Sequence, residues 1–147
     1  MDKIVINDLI QQCWLDSTGS PIELSDAEEL SSHDQLFIAS VVFTGTDQGS
    51  LTIIMSELMA KTIAAKMFDY SLDAVTYDDI HDAIGELANV IAGNLKTEIF
   101  GNSMLSKPLI MQGNDSILST FKVDTIFEKV YTDSTQEQVI IQICQAG

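Results

Sequence analysis

Hydrophobic and polar positions alternate along this chain with two different periods. Between residues 4 and 14, Ile6, Leu9, Ile10, Cys13 and Trp14 recur at helical spacing with Asp8, Gln11 and Gln12 between them, which predicts a first helix. A second helical run extends from about Ser56 to Phe68. Ser56 is its expected N-cap, Glu57 suits the positive end of the dipole, and Met59, Ile63 and Met67 face inward as core. The third and longest run is about Tyr77 to Phe100, where Thr76 and Asp79 have the spacing of a capping box. Strand-like segments lie at 36–43 (LFIASVVF) and 50–55 (SLTIIM), joined by the hairpin residues TGTDQG. Three more strands are expected in the C-terminal third: KPLIMQ, about Leu118 to Tyr131, and QEQVIIQICQ, with turns at GNDS and TDST. The order of elements predicts an α+β fold, an antiparallel-rich sheet with three main helices packed on one side. The acidic, turn-rich stretch from Asp16 to Asp34 reads as a solvated connection.

Length and composition agree with one compact domain over residues 1–147. A chain of this size buries roughly two thirds of its unfolded surface, so its core needs neither metal nor disulfide. No apolar run approaches the roughly 18 residues of a membrane span, and the N-terminus has no basic segment followed by an apolar block. A cytoplasmic location with Cys13 and Cys144 as reduced thiols is expected. Charge narrows the partners. Twenty-two acids face seven bases for a net charge of −15, and every base is a lysine. Nucleic acid and anionic membrane need clustered positive charge, so neither is expected as a partner. A phosphate site built from this chain alone would lack the arginine fork, and no Gly-rich phosphate loop is present. If the protein handles a phosphoryl group, another molecule must supply the positive charge.

The long helix carries the candidate chemistry. On a wheel of ~100° per residue with Ile80 at zero, Ile84, Leu87, Ile91 and Leu95 fall within about 60° of it. Asp82, Glu86, Asn89, Gly93 and Lys96 gather on the opposite side. Glu86 and Asn89 are three apart, so a carboxylate and a carboxamide are neighbours on the outer face. On spacing alone, solvated surface is the commoner explanation of such a face. Gly85 and Gly93 weigh against it, because each costs the helix roughly 1 kcal/mol relative to Ala. Gly93 lies one turn after Asn89 and leaves room for another molecule's backbone. Asn94 conflicts with this scheme, since it falls close to the apolar stripe, and nothing beyond a local polar contact near the helix end accounts for it. His33, His81, Cys13 and Cys144 have no metal-ligand spacing, so polar surface or core is expected for the histidines and burial for both thiols.

The segment DAIGELANVIAGNLKTEI, Asp82 to Ile99, closely resembles the signature helix of the CheC/CheX/FliY phosphatases of bacterial chemotaxis. Their motif is an Asp or Ser, three intervening residues, Glu, two intervening residues, and Asn, with a later Pro. The matching positions are Asp82, Glu86 and Asn89, with Pro108 as the corresponding Pro. VVFTGTDQGSLTIIMSELMAKTIAAKMF (Val41 to Phe68) also resembles the CheX hairpin and following helix, and one E-x-x-N helix is more similar to CheX than to two-site CheC. Two departures are visible: a shorter stretch from Asn89 to Pro108, and no match for Asp16 to Asp34. The resemblance implies a CheC/CheX-like fold. It also implies hydrolysis of the aspartyl phosphate on a CheY-like receiver domain. Asn89 would position the attacking water and Glu86 would pair with the receiver's lysine, with Asp82, Gly93 and Lys96 at the partner-binding face. No cofactor of the chain's own is implied, Mg²⁺ being expected on the receiver, and a homodimer is implied. The alternative is a non-catalytic receiver-binding adaptor.

Overall fold

A computed structural model describes residues 2–30, 35–114 and 124–146. Helix α1 spans Lys3–Thr18, four residues beyond the expected end, because nothing stops it before Gly19. Asp2 caps its start by accepting from the Ile4 N–H at 2.9 Å, and Gly19, at φ 75°, ends it by donating to the Leu15 carbonyl. The acidic stretch is accordingly not a plain solvated connection. It begins inside α1, includes strand β1 (Glu23–Leu24), and buries Ile22 and Leu30. His33 and residues 31–32 and 34 lie outside the described residues.

Strands β2 (Leu36–Gly45) and β3 (Gly49–Ser56) form the expected hairpin. They are followed by α2 (Glu57–Phe68), capped by Ser56, whose Oγ accepts from the Met59 N–H at 3.1 Å. A short 3-10 turn (Leu72–Ala74) leads into α3 (Tyr77–Ile99). Among the described residues four strands follow: β4 (Ser103–Leu105), β5 (Leu109–Gly113), β6 (Thr125–Thr132) and β7 (Gln138–Gln145). Among the described residues every pairing is antiparallel, in the order β1-β6-β7-β3-β2-β4, with β5 sharing the outer side of β2 with β4. β4 is too short to leave a periodic signal in the sequence. β5 begins two residues later than expected, since Pro108 has no N–H to add to a ladder. Of the expected strand from Leu118, residues 118–123 lie outside the described residues, as do Asp115 and Ser116 of the GNDS turn. The TDST turn is present, with Asp133 Oδ1 accepting from the N–H groups of Thr135 and Glu137.

All three helices pack on one face of the sheet, so the expected α+β arrangement is the observed one. The other face carries a smaller apolar cluster of Leu30, Leu36, Ile38, Ile54, Val130 and Ile140. No helix among the described residues is long and apolar enough to cross a membrane. On α3, Ile80, Ile84, Leu87, Ile91 and Leu95 have no exposed surface. Burial of each contributes about 2 kcal/mol, and together they fix which way the helix faces.

Both ends of α3 are tied down. At its start the capping box closes in both directions: Thr76 Oγ1 accepts from the Asp79 N–H at 3.1 Å and Asp79 Oδ2 accepts from the Thr76 N–H at 2.9 Å. Past its end, the Phe100 ring stacks on Phe43 at 4.1 Å between centroids, and Asp47 Oδ2 accepts from the Asn102 N–H at 2.8 Å. Gly49 makes that stack possible. A Cβ there would stand 2.6 Å from a Phe100 ring carbon and would also meet the Cys144 backbone carbonyl. We therefore expect Gly49→Ala to lower unfolding free energy by about 1–3 kcal/mol, the usual cost of overpacking a core. Urea denaturation of the purified variant measures it, and unchanged stability would mean that Phe100 has another place to go.

Candidate functional site

The outer face of α3 is where the sequence-predicted residues meet. Asp82, Glu86 and Asn89 are exposed, Gly93 and Lys96 are half-buried, and all five lie opposite the stripe that packs on the sheet. The helix repeat brings Glu86 and Asn89 to within about 5–6 Å at Cβ, close enough for both to address one partner group. Among the described residues, the side chains of Asp82, Glu86 and Asn89 make no hydrogen bond or ion pair within the chain. They are exposed polar groups with their capacity uncommitted.

β5 walls one flank of this face. A shallow groove of about 350 Å³ runs between it and α3, lined by His81, Asp82, Gly85, Glu86, Asn89, Pro108 and Ile110. Strand alternation explains the wall. Ile110 stands opposite Ala39, a core residue of the helix-bearing face, so its side chain turns toward α3. Gly85 sits beneath it, and a Cβ built there would lie 3.8 Å from both Ile110 Cδ1 and Pro108 Cβ, an ordinary contact. A Cβ at Gly93 would meet nothing within 4 Å. Neither glycine is required by this chain's own packing.

Two placements differ from the helical wheel. Gly85 is buried although it lies toward the polar side, because β5 covers that flank. Asn94 is exposed although it lies near the stripe. The buried arc turns along the helix, from Ala83, Ile84 and Leu87 in the first half to Ala88, Ala92 and Leu95 in the second, and carries Asn94 out of the core. Its Nδ2 donates to the Val90 carbonyl at 2.8 Å, the local polar contact that was expected.

Sequence reasoning missed His81 and Ile110 as lining residues. His81 is exposed and meets Phe37 edge-on, at 6.5 Å between centroids. The only signal for it was its place on the flank of the wheel, and for Ile110 the alternation of β5. The thiols lie elsewhere. Cys13 is buried, and burial first, then the Asp16 carboxylate, pushes its pKa up, which leaves it a poor nucleophile. Cys144 is half-buried rather than buried as expected, because it falls near the end of β7. Among the described residues no group of three or more His, Cys, Asp or Glu side chains could hold a metal ion.

Comparison with known proteins bears on this geometry. The family model of Chemotaxis phosphatase CheX matches residues 37–141, which include the hairpin except Leu36, and α2, α3 and Pro108. The chain belongs to the CheX family of chemotaxis phosphatases. No curated protein matches it. Among solved structures, the fold is shared with the CheX–CheY–BeF3–Mg²⁺ complex of Borrelia burgdorferi at a TM-score of 0.75 and 17% identity, covering 99% of each chain. It is shared with the chemotaxis protein CheX of Vibrio vulnificus at 0.70 and 13%, covering 96% of this chain and 93% of that one. Thermotoga maritima FliY aligns at 0.64 and 18%, covering 98% and 89%. Such identities establish the fold; the site stands on its own residues.

Because the space beyond Gly93 is open, Gly93→Ala adds helix propensity with no clash. We expect it to raise unfolding free energy by about 1 kcal/mol. Thermal or urea denaturation measures the change, and a destabilised variant would mean that this glycine serves the chain's own fold after all.

Proposed function

We propose that this CheX-family protein hydrolyses the aspartyl phosphate of a CheY-like receiver domain. The observation that carries the reading is the uncommitted pair Glu86 and Asn89, one helical turn apart on an exposed face whose opposite side is locked into the core. The fold relative from Borrelia burgdorferi was solved with CheY, BeF3 and Mg²⁺, which supports a receiver as the partner class and Mg²⁺ as the receiver's own ion.

An acyl phosphate needs little from its catalyst. The water oxygen bonds to phosphorus as the bond from phosphorus to the aspartyl oxygen breaks. The leaving carboxylate is stable as an anion, its pKa being about 4, so no general acid is required. The water's protons end on phosphate oxygens and solvent. What remains is to hold water in line with the breaking bond. The Asn89 carboxamide can donate to and accept from that water without changing protonation. Glu86 pairs with the receiver's lysine and orients the helix in the cleft. Asp82, Gly93 and Lys96 complete the contact face. Positive charge comes from the receiver's Mg²⁺ and lysine, so the chain binds no cofactor itself, and both proteins meet in the cytoplasm.

Phosphoryl decay on a purified receiver, measured beside affinity for its BeF3–Mg²⁺ form, tests the division of labour. Asn89→Ala should lose stimulated hydrolysis yet bind nearly normally. Glu86→Lys should bind weakly, and wild-type binding should fall as salt rises. Wild-type hydrolysis by Asn89→Ala would remove Asn89 from the mechanism and favour the adaptor reading.

We further propose a two-fold homodimer. β7 is paired on both sides and cannot form it. β6 is the better edge: among the described residues, its outer side meets only the two-residue β1, at Tyr131 and Thr132, with one further bond from the Ser25 N–H to the Val130 carbonyl. An edge so little covered among the described residues invites pairing with a second copy, which would leave both α3 faces free. Light scattering should give a mass near twice 16.1 kDa; the monomer mass would reject the dimer.

A further inference from the structure

The groove beside Glu86 has a composition that water positioning by Asn89 and docking by Glu86 leave unexplained. Its rim carries two carboxylates, Asp82 and Glu86, a turn apart and without partners among the described residues. Its floor is apolar: Gly85, the Pro108 ring and Ile110. No lysine lines it. A groove with an oily floor and an acidic rim fits a long cationic side chain, whose methylenes pack while its ammonium reaches the acids. Gly85 is the informative residue. It lies in mid-helix, where glycine is costly, has an ordinary negative φ, and leaves room for a Cβ at 3.8 Å from its neighbours. This chain's fold does not demand a glycine there, but a groove floor that must stay clear of a methyl group does.

Resting on the reading that α3 docks on a receiver, we propose that Gly85, Pro108 and Ile110 form a seat for the aliphatic stem of the receiver's lysine, with Asp82 and Glu86 sharing its ammonium. Gly85 is then the specificity-determining residue of the docking face: it sets how far a lysine can enter. The ion pair alone would be a weak, solvent-screened contact. Laying four methylenes on an apolar floor adds hydrophobic contact and limits water around the pair.

The test is a binding titration of the full chain with a purified CheY-like receiver in its BeF3–Mg²⁺ form, alongside melting curves. Gly85→Ala should melt no lower than wild type and bind the receiver about tenfold more weakly, and Gly85→Met should bind more weakly still. Two receiver variants separate stem from charge. Replacing the lysine by Met keeps a stem and should bind wild-type protein better than replacing it by Ala, and this preference should vanish in Gly85→Met. If Gly85→Met does not fold, Gly85→Ala and the two receiver variants decide. Wild-type affinity in folded Gly85→Ala, or no Met-over-Ala preference, overturns the seat. Should Glu86→Lys still lose binding in that case, the docking reading stands without the seat; should Glu86→Lys also bind normally, both fall.

Discussion

Ile80, Ile84, Leu87, Ile91 and Leu95 leave no surface to solvent, and their burial is the constraint on which the rest of the site depends. A helix repeats every ~100° per residue, so fixing five side chains against the sheet fixes the direction of every other one. Glu86 and Asn89 are exposed together because the stripe opposite them is buried together. Axial position is set separately, by the Thr76–Asp79 capping box at one end and the Phe100–Phe43 stack at the other. The stack in turn needs Gly49 in β3, which ties the α3 site to the hairpin through one missing side chain. Two candidate side chains on one rigid helix keep their spacing without help from loops, which would suit the proposed reaction, one that depends on geometry more than on proton transfer.

What could be read in the sequence follows from how local each feature is. α2 and α3 were legible to within a residue, because a capping residue and a periodic apolar stripe are local signals. The β2–β3 hairpin was legible from its alternation and turn residues. The outer face of α3 could be drawn in advance, since a wheel needs only the sequence. Its surroundings could not. Gly85 is buried because β5, more than twenty residues further along the chain, folds back beside it. Asn94 is exposed because the buried arc turns along the helix, which depends on how α3 crosses the sheet. α1 outran its expected end because Asp16 and Thr18 looked like turn residues, while the helix stops only where Gly19 supplies a left-handed φ. β1 and β4 are too short to carry a period at all, and exist only because longer strands offer them an edge.

The chain's charge bears on the proposed chemistry as well. A protein with a net charge of −15 and no arginine is a poor host for a phosphate ion. On the receiver reading this is an asset. The phosphoryl group arrives already bound by a cation and a lysine, so the phosphatase need not hold it. A basic residue added beside Asn89 would compete with water for the phosphoryl oxygens and retain the phosphate product. The acidic rim does the reverse. On that reading it would attract the receiver's lysine, a fixed cation beside the phosphoryl group, and repel the free anion once the bond has broken. Binding energy is then spent on the protein partner, where it orients the water, rather than on the small product, where it would slow turnover.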